Sequence, residues 1–152
     1  MTEASTIRQF VIFEMDSQNY GIDIQSVQII ERMKSIMRVP NAPYNIRGVM
    51  NLRGEIIPVV DVRRVFYMPE METTDSTRII IVRMEDAMVG LIVDKVKEVV
   101  GLEGDQIENS SSMQGKIDSS YIIGVGKMED GEEIITLLDH PRLIEVAFEI
   151  SE

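Results

Sequence analysis

Two aspartates, Asp61 and Asp139, stand directly ahead of short segments that read as helices. Paired carboxylates run many hydrolases as general acid and base, so a small-barrel enzyme using Asp61 and Asp139 is one reading of this chain. Capping explains the same placement without chemistry, because an aspartate side chain accepts from the N–H groups of a first helical turn. The rest of the reactive inventory is thin. His140 is the only histidine and cannot alone assemble a multi-ligand metal site. There is no cysteine, hence no thiolate and no disulfide, and no serine sits in a nucleophile-elbow context. Capping is preferred, and no catalytic residue, metal or cofactor is expected. The charged side chain that asks for a different account is Arg53.

Arg53 lies in residues 47–61, where two apolar runs meet at Asn51-Leu52-Arg53-Gly54-Glu55. Gly54 accepts the positive φ that a tight reversal needs, so the stretch reads as a β-hairpin with Arg53 at its tip. The second arm, residues 56–60, is apolar on both faces and is expected inside a sheet or barrel. Pro58 cannot donate to a ladder and needs an edge or a bulge. An exposed turn arginine is most often merely solvated; the alternative is a residue displayed for a partner.

Composition narrows the field. At 152 residues and 44% apolar content, one domain burying roughly 70% of its extended surface is expected. No stretch approaches the ~20 apolar residues of a membrane span, and the N-terminus has no signal-peptide pattern. A cytoplasmic protein is the default. The net charge of −11 argues against nucleic acid, which needs a basic surface, and so do the few aromatics. The eleven methionines are read mainly as core fillers, with Met50 and Met113 the candidates for a surface role.

Along the chain, residues 7–15 and 20–24 read as strands around a turn. Val27, Ile30 and Met33 recur at helical spacing and predict a short helix over residues 26–33. Residues 68–76, polar and acidic, form a linker, and the pattern then restarts. Residues 79–84 and 89–93 are strands, and Asp94 is expected to cap a helical segment carrying Val96, Val99 and Val100, stopped by Gly101. Residues 110–120 read as a surface loop. Residues 121–128 and 133–138 are strands around the hairpin signal Asp130-Gly131, followed by a helix with Pro141 in its first turn. The restart is an internal repeat: Gly21 and Gly90 lie 69 apart, as do Val27 and Val96, whereas Gly48 and Gly124 lie 76 apart and Arg64 and Arg142 lie 78 apart. Two packed barrel-like halves follow, approximately 7–67 and 77–148 within one domain spanning 7–150, with strands exchanged between them as one option. The termini 1–6 and 151–152 are expected to be flexible. Gly48 and Gly124, at equivalent sites inside strands, predict a sharp bend, with approach of a partner helix at Gly48 as an added expectation.

These segments resemble the CheW family of bacterial chemotaxis coupling proteins. Tyr20-Gly21-Ile22-Asp23-Ile24 with Val27-Gln28, then Gly48 to Gly54, then Ile57-Pro58-Val59-Val60-Asp61, and Val89 to Asp94 follow the family pattern in order. The resemblance implies a mainly β fold of two SH3-like five-stranded barrels on a common apolar core, with short helices. It implies a non-enzymatic adaptor that joins the cytoplasmic tip of a chemoreceptor to the regulatory domain of a chemotaxis histidine kinase. It also implies receptor contact through Val27, Gly48, Asn51 and Arg53, no direct membrane contact, and a protein that is monomeric alone. The kinase-binding surface is not assigned. A CheW-like interaction module of another two-component system is the neighbouring alternative; the chain's start at Met1 and its end soon after the second copy favour a stand-alone adaptor. One departure stands out: relatives often carry Glu, able to pair with the hairpin arginine, where this chain has Ile29.

Overall fold

The computed structural model describes residues 7–109, 120–128 and 133–149. Its strands are β1 (Ile7–Met15), β2 (Gln18–Asp23), β3 (Val27–Arg32), β4 (Ile46–Leu52), β5 (Glu55–Asp61), β6 (Arg78–Met84), β7 (Ala87–Val93), β8 (Lys95–Glu103), β9 (Ile107–Asn109), β10 (Ile122–Lys127) and β11 (Ile134–Leu138). Two helices, α1 (Val62–Val65) and α2 (His140–Phe148), follow β5 and β11. The Asp130-Gly131 turn, Met113 and nearly all of the Ser-rich loop lie outside the described residues.

The strands form one sheet in the order β8-β1-β2-β11-β10-β9 and another in the order β3-β6-β7-β5-β4. Each sheet takes strands from both halves of the chain, joined by a parallel pair (β2 with β11 in the first, β5 with β7 in the second) and by an antiparallel pair (β1 with β8, β3 with β6). The fold is mainly β, and its strand content matches SH3-like barrels. Neither sheet closes, however. The expected pair of five-stranded barrels is a six-stranded and a five-stranded sheet, because β9 adds to β10 and the edges β3 and β4 do not pair with each other.

Alternation along the central strands explains how one chain fills three cores. On β1, Phe10 and Ile12 point into a cluster with Leu102, Ile135 and Leu137. Val11, Phe13 and Met15 point the other way, into a cluster shared with Ile80, Val82, Leu91 and Val93 of the second sheet. On β6, Ile79 and Ile81 in turn face the second sheet's own cluster with Ile57 and Val59. Such strands are apolar on both faces because both faces are covered, and each fully buried Ile or Phe contributes about 1.5–3 kcal/mol. A run of rings, Phe13, Tyr20, Phe66 and Tyr121, crosses the shared cluster at centroid spacings of 5.9, 5.0 and 5.5 Å.

The two predicted internal helices are strands. Of residues 26–33, Val27–Arg32 form β3, preceded by a single 3₁₀ turn that Asp23 caps by accepting from the Gln25 N–H at 2.9 Å. Residues 95–103 form β8, which runs through Gly101. The cause of the error is a bulge in each strand. The β3 register skips Gln28, with Val27 opposite Val82 and Ile29 opposite Ile81. The β8 register skips Lys97, with Val96 opposite Phe13 and Glu98 opposite Ile12. An extra residue turns the strand period of two into a spacing of three, which imitates a helix. Two further expectations fail on burial. Met50 is a core residue at 2% exposure, while Ile56, expected inside, is 62% exposed. Pro58 lies just before the β5–β7 ladder begins at Val59, where β5 is still an edge on that side.

Gly48 and Gly124 each mark a register shift, as a bend requires. A Cβ on Gly48 would lie 2.2 Å from the Met37 carbonyl oxygen, and one on Gly124 would lie 2.3 Å from that of Glu108. The backbone approaching each glycine is therefore the chain's own. Gly48→Ala and Gly124→Ala should each lose about 2–3 kcal/mol in urea unfolding, from contact with a carbonyl that cannot swing away. Gly54→Ala, open in space but at φ +89°, should lose only about 1 kcal/mol.

Candidate functional site

The β4–β5 hairpin turns on two residues, with Leu52 opposite Glu55. Arg53 and Gly54 carry φ of +53° and +89°, the signature of a turn whose twist suits a hairpin and which favours Asn-Gly. Asn51 Oδ1 accepts from the Gly54 N–H at 2.8 Å and fixes the tip. Glycine fits the second position; arginine at the first does not, since a left-handed L-residue costs roughly 1–2 kcal/mol. Arg53 is exposed, and among the described residues its guanidinium makes no hydrogen bond or ion pair. Ile56, cross-strand from Asn51, adds an exposed apolar side chain to the same end of the hairpin.

Asn51 and Arg53 thus share the tip, but the other two sequence candidates do not. Gly48 is buried lower on β4 beneath Met37. Val27 begins β3, at the opposite edge of the sheet, and packs against the shared cluster. Ile29, at the position of the expected acid, packs against the core of the second sheet. Glu31 pairs with Lys34 at 3.5 Å rather than with Arg53.

The carboxylates that suggested acid–base chemistry are engaged structurally. Asp61, 6% exposed, accepts from the Arg64 N–H at 3.4 Å as the cap of α1 and from Arg47 Nη1 at 2.9 Å. Asp139 caps α2 by accepting from the Arg142 N–H at 3.1 Å. They line different cavities, Asp61 beside Arg47, Arg63 and Thr77, and Asp139 beside His140, Arg8 and Arg83. Among the described residues no cluster of three or more His, Cys, Asp or Glu is arranged to hold a metal.

Asp94 is not a helix cap. It receives a two-pronged contact from Arg63, Nε to Oδ1 at 2.9 Å and Nη2 to Oδ2 at 2.7 Å, and accepts from the Asp16 N–H at 2.8 Å. Arg63 also donates to the Pro69 carbonyl at 2.7 Å. The hydrogen bond to Asp94 raises the Arg63 pKa, against the opposing effect of burial. No spacing in the sequence announces this pair, because its partners are 31 residues apart.

Known proteins share this fold. The family model for the CheW-like domain matches residues 9–148. The chain belongs to the CheW family. Among curated relatives, chemotaxis protein CheW of Bacillus subtilis is 38% identical, covering 90% of this chain and 86% of the relative. Chemotaxis protein CheW of Klebsiella aerogenes is 33% identical, covering 90% and 81%. The crystal structure of scaffolding protein TtCheW from Thermoanaerobacter tengcongensis superposes with a TM-score of 0.79 at 33% identity, covering 88% of this chain and 89% of that one. In this CheW family member the hairpin arginine has no acidic partner among the described residues, and Ile29 packs against the core of the second sheet.

His140 opens α2, half-buried among Asp139, Asp23, Arg8, Arg83 and Glu85. Burial lowers its pKa from the ordinary 6.5, opposed by Asp139 and Asp23. The unfolded chain therefore binds more protons below about pH 6.5. The neutral ring's contribution is complete above that value and is lost as pH falls through the folded pKa. The urea midpoint should fall between pH 7.5 and 5.5, and His140→Gln should flatten that slope; an unchanged slope would assign the dependence to other groups.

Proposed function

We propose that this chain is a non-enzymatic chemotaxis adaptor that holds the cytoplasmic tip of a chemoreceptor against the regulatory domain of a chemotaxis histidine kinase. The observation that carries the reading is Arg53. An arginine that the family resemblance singles out is held exposed in a strained left-handed turn, and among the described residues its charge has no partner. Strain of this kind persists where the surrounding fold over-determines it and where the displayed group serves a purpose. Asn51 fixes the turn, Ile56 supplies adjacent apolar area, and the bend at Gly48 sets the hairpin's angle. Gly48 then belongs to the receptor-contacting region as a support beneath the contact rather than as its surface, while Val27, at the opposite edge of the sheet, is assigned to that region by the family resemblance alone.

The mechanism is stoichiometric. Tying receptor and kinase to one rigid body raises their effective concentration and lets receptor state bias the kinase. No chemistry is assigned to the chain, and this accords with Asp61 and Asp139 being occupied as caps in separate cavities. The protein acts in the cytoplasm and is monomeric on its own; among the described residues no helix is long and apolar enough to cross a membrane. We read its one domain as a unit used twice, residues 7–67 and 77–148 around the acidic segment 68–76. The matching strand orders of the two sheets support this.

Arg53→Asn separates fold from function. Asparagine tolerates the left-handed turn, so the variant should be as stable as the parent or about 0.5–1 kcal/mol more stable. It should lose about 2 kcal/mol of receptor affinity, roughly thirtyfold. A pull-down with a soluble receptor fragment and a kinase regulatory domain checks this. Undiminished receptor capture by the folded variant would remove Arg53 from the contact.

A further inference from the structure

At the far end of β4 from Arg53, the loop leading into the strand forms an open cleft walled by Pro40, Pro43 and Tyr44. At about 3.3 Å per residue, the seven residues of β4 put this cleft roughly 20 Å from the hairpin tip. Three arginines reach it, Arg38, Arg47 and Arg64, and none of its lining residues is acidic. In a chain of net charge −11, a concavity lined by cations alone runs against the overall balance.

Those cations are only partly satisfied. Arg47 and Arg64 share one buried counter-ion, Asp61, at 2.9 and 3.5 Å. Arg64 Nη1 donates to the Tyr44 carbonyl at 2.8 Å. Its Nε is buried with no hydrogen-bond partner, the nearest carboxylate oxygens being those of Asp61 and Glu70 at 3.5 and 3.6 Å. Arg38 is exposed and makes no hydrogen bond or ion pair among the described residues. Arg38 therefore brings an uncompensated charge to the cleft, and a hydrogen bond to a charged group is roughly twice as strong as one between neutral groups. A guanidinium fork matches a carboxylate in both geometry and charge.

The walls narrow the ligand further. The Tyr44 ring, 62% exposed, lies over the Arg64 guanidinium at 4.7 Å, and two prolines fix the loop beside it. Apolar walls around a cationic floor suit a carboxylate carried on a chain with its own apolar stem. We propose that this cleft binds an acidic side chain of a peptide segment from a protein partner. The site is independent of the hairpin contact and does not rest on the receptor reading.

The test is an NMR titration of the full-length ¹⁵N-labelled protein with an acetylated tri-glutamate peptide, a tri-lysine peptide and inorganic phosphate. The expected result is saturable shifts confined to the 38–47 loop and Arg64 with tri-glutamate, and none there with tri-lysine. Arg38→Ala, at an exposed and unpaired residue, should keep its melting temperature and bind tri-glutamate about tenfold more weakly. Arg32→Ala, an exposed cation on β3, should leave that binding unchanged. Shifts scattered over the surface, equal losses in the two variants, or phosphate binding as tightly as the peptide would each overturn the proposal.

Discussion

The parallel pairings of β2 with β11 and of β5 with β7 are the seams on which the rest of the molecule depends. Each joins, within one open sheet, strands from the two halves of the chain. Parallel neighbours must have their connections elsewhere, so the chain crosses from one sheet to the other and back. The shared cluster, with Phe13 and Met15 on one side and Ile80 and Leu91 on the other, fills the space between. Arg63 ties the same junction electrostatically: from α1 it grips Asp94, just past β7, which also holds the β1–β2 turn through Asp16. Two sheets joined in this way share one buried cluster, a constraint that suits a passive coupling device.

That constraint gives meaning to the strain at Arg53. The hairpin is anchored below by Gly48, against which Met37 packs, and by Met50 and Leu52 in the core of the second sheet. The tip cannot relax by sliding, because a one-residue slip would turn Met50 outward. Arg53 is thereby held away from the chain's own carboxylates, and its guanidinium remains available. Ile29 contributes packing to the second sheet, and the tip is held by its backbone and the Asn51 hydrogen bond.

Much of this was legible in the sequence, and the failures have physical causes. The hairpin, its tip and both capping aspartates followed from local chemistry: Gly after a turn residue, and Asp before a segment that reads as a helix. β3 and β8 were misread because a bulge at Gln28 and one at Lys97 gave strands the apolar spacing of helices. Met50 and Ile56 exchanged places because a two-sided apolar run does not reveal which of its ends leaves the core. The offsets exposed a repeat but not which copy pairs with which, since a repeated unit carries the same pairing code in both places. Arg63 with Asp94, and the cationic cleft beside Tyr44, depend on contacts distant in sequence that no motif records.

Hydrogen exchange on the full chain, alone and with a soluble receptor fragment, tests the central claim most directly. The account predicts added protection centred on residues 49–56 while the amides of β6 and β7 stay slow and unchanged. Protection elsewhere with residues 49–56 unaffected would contradict it.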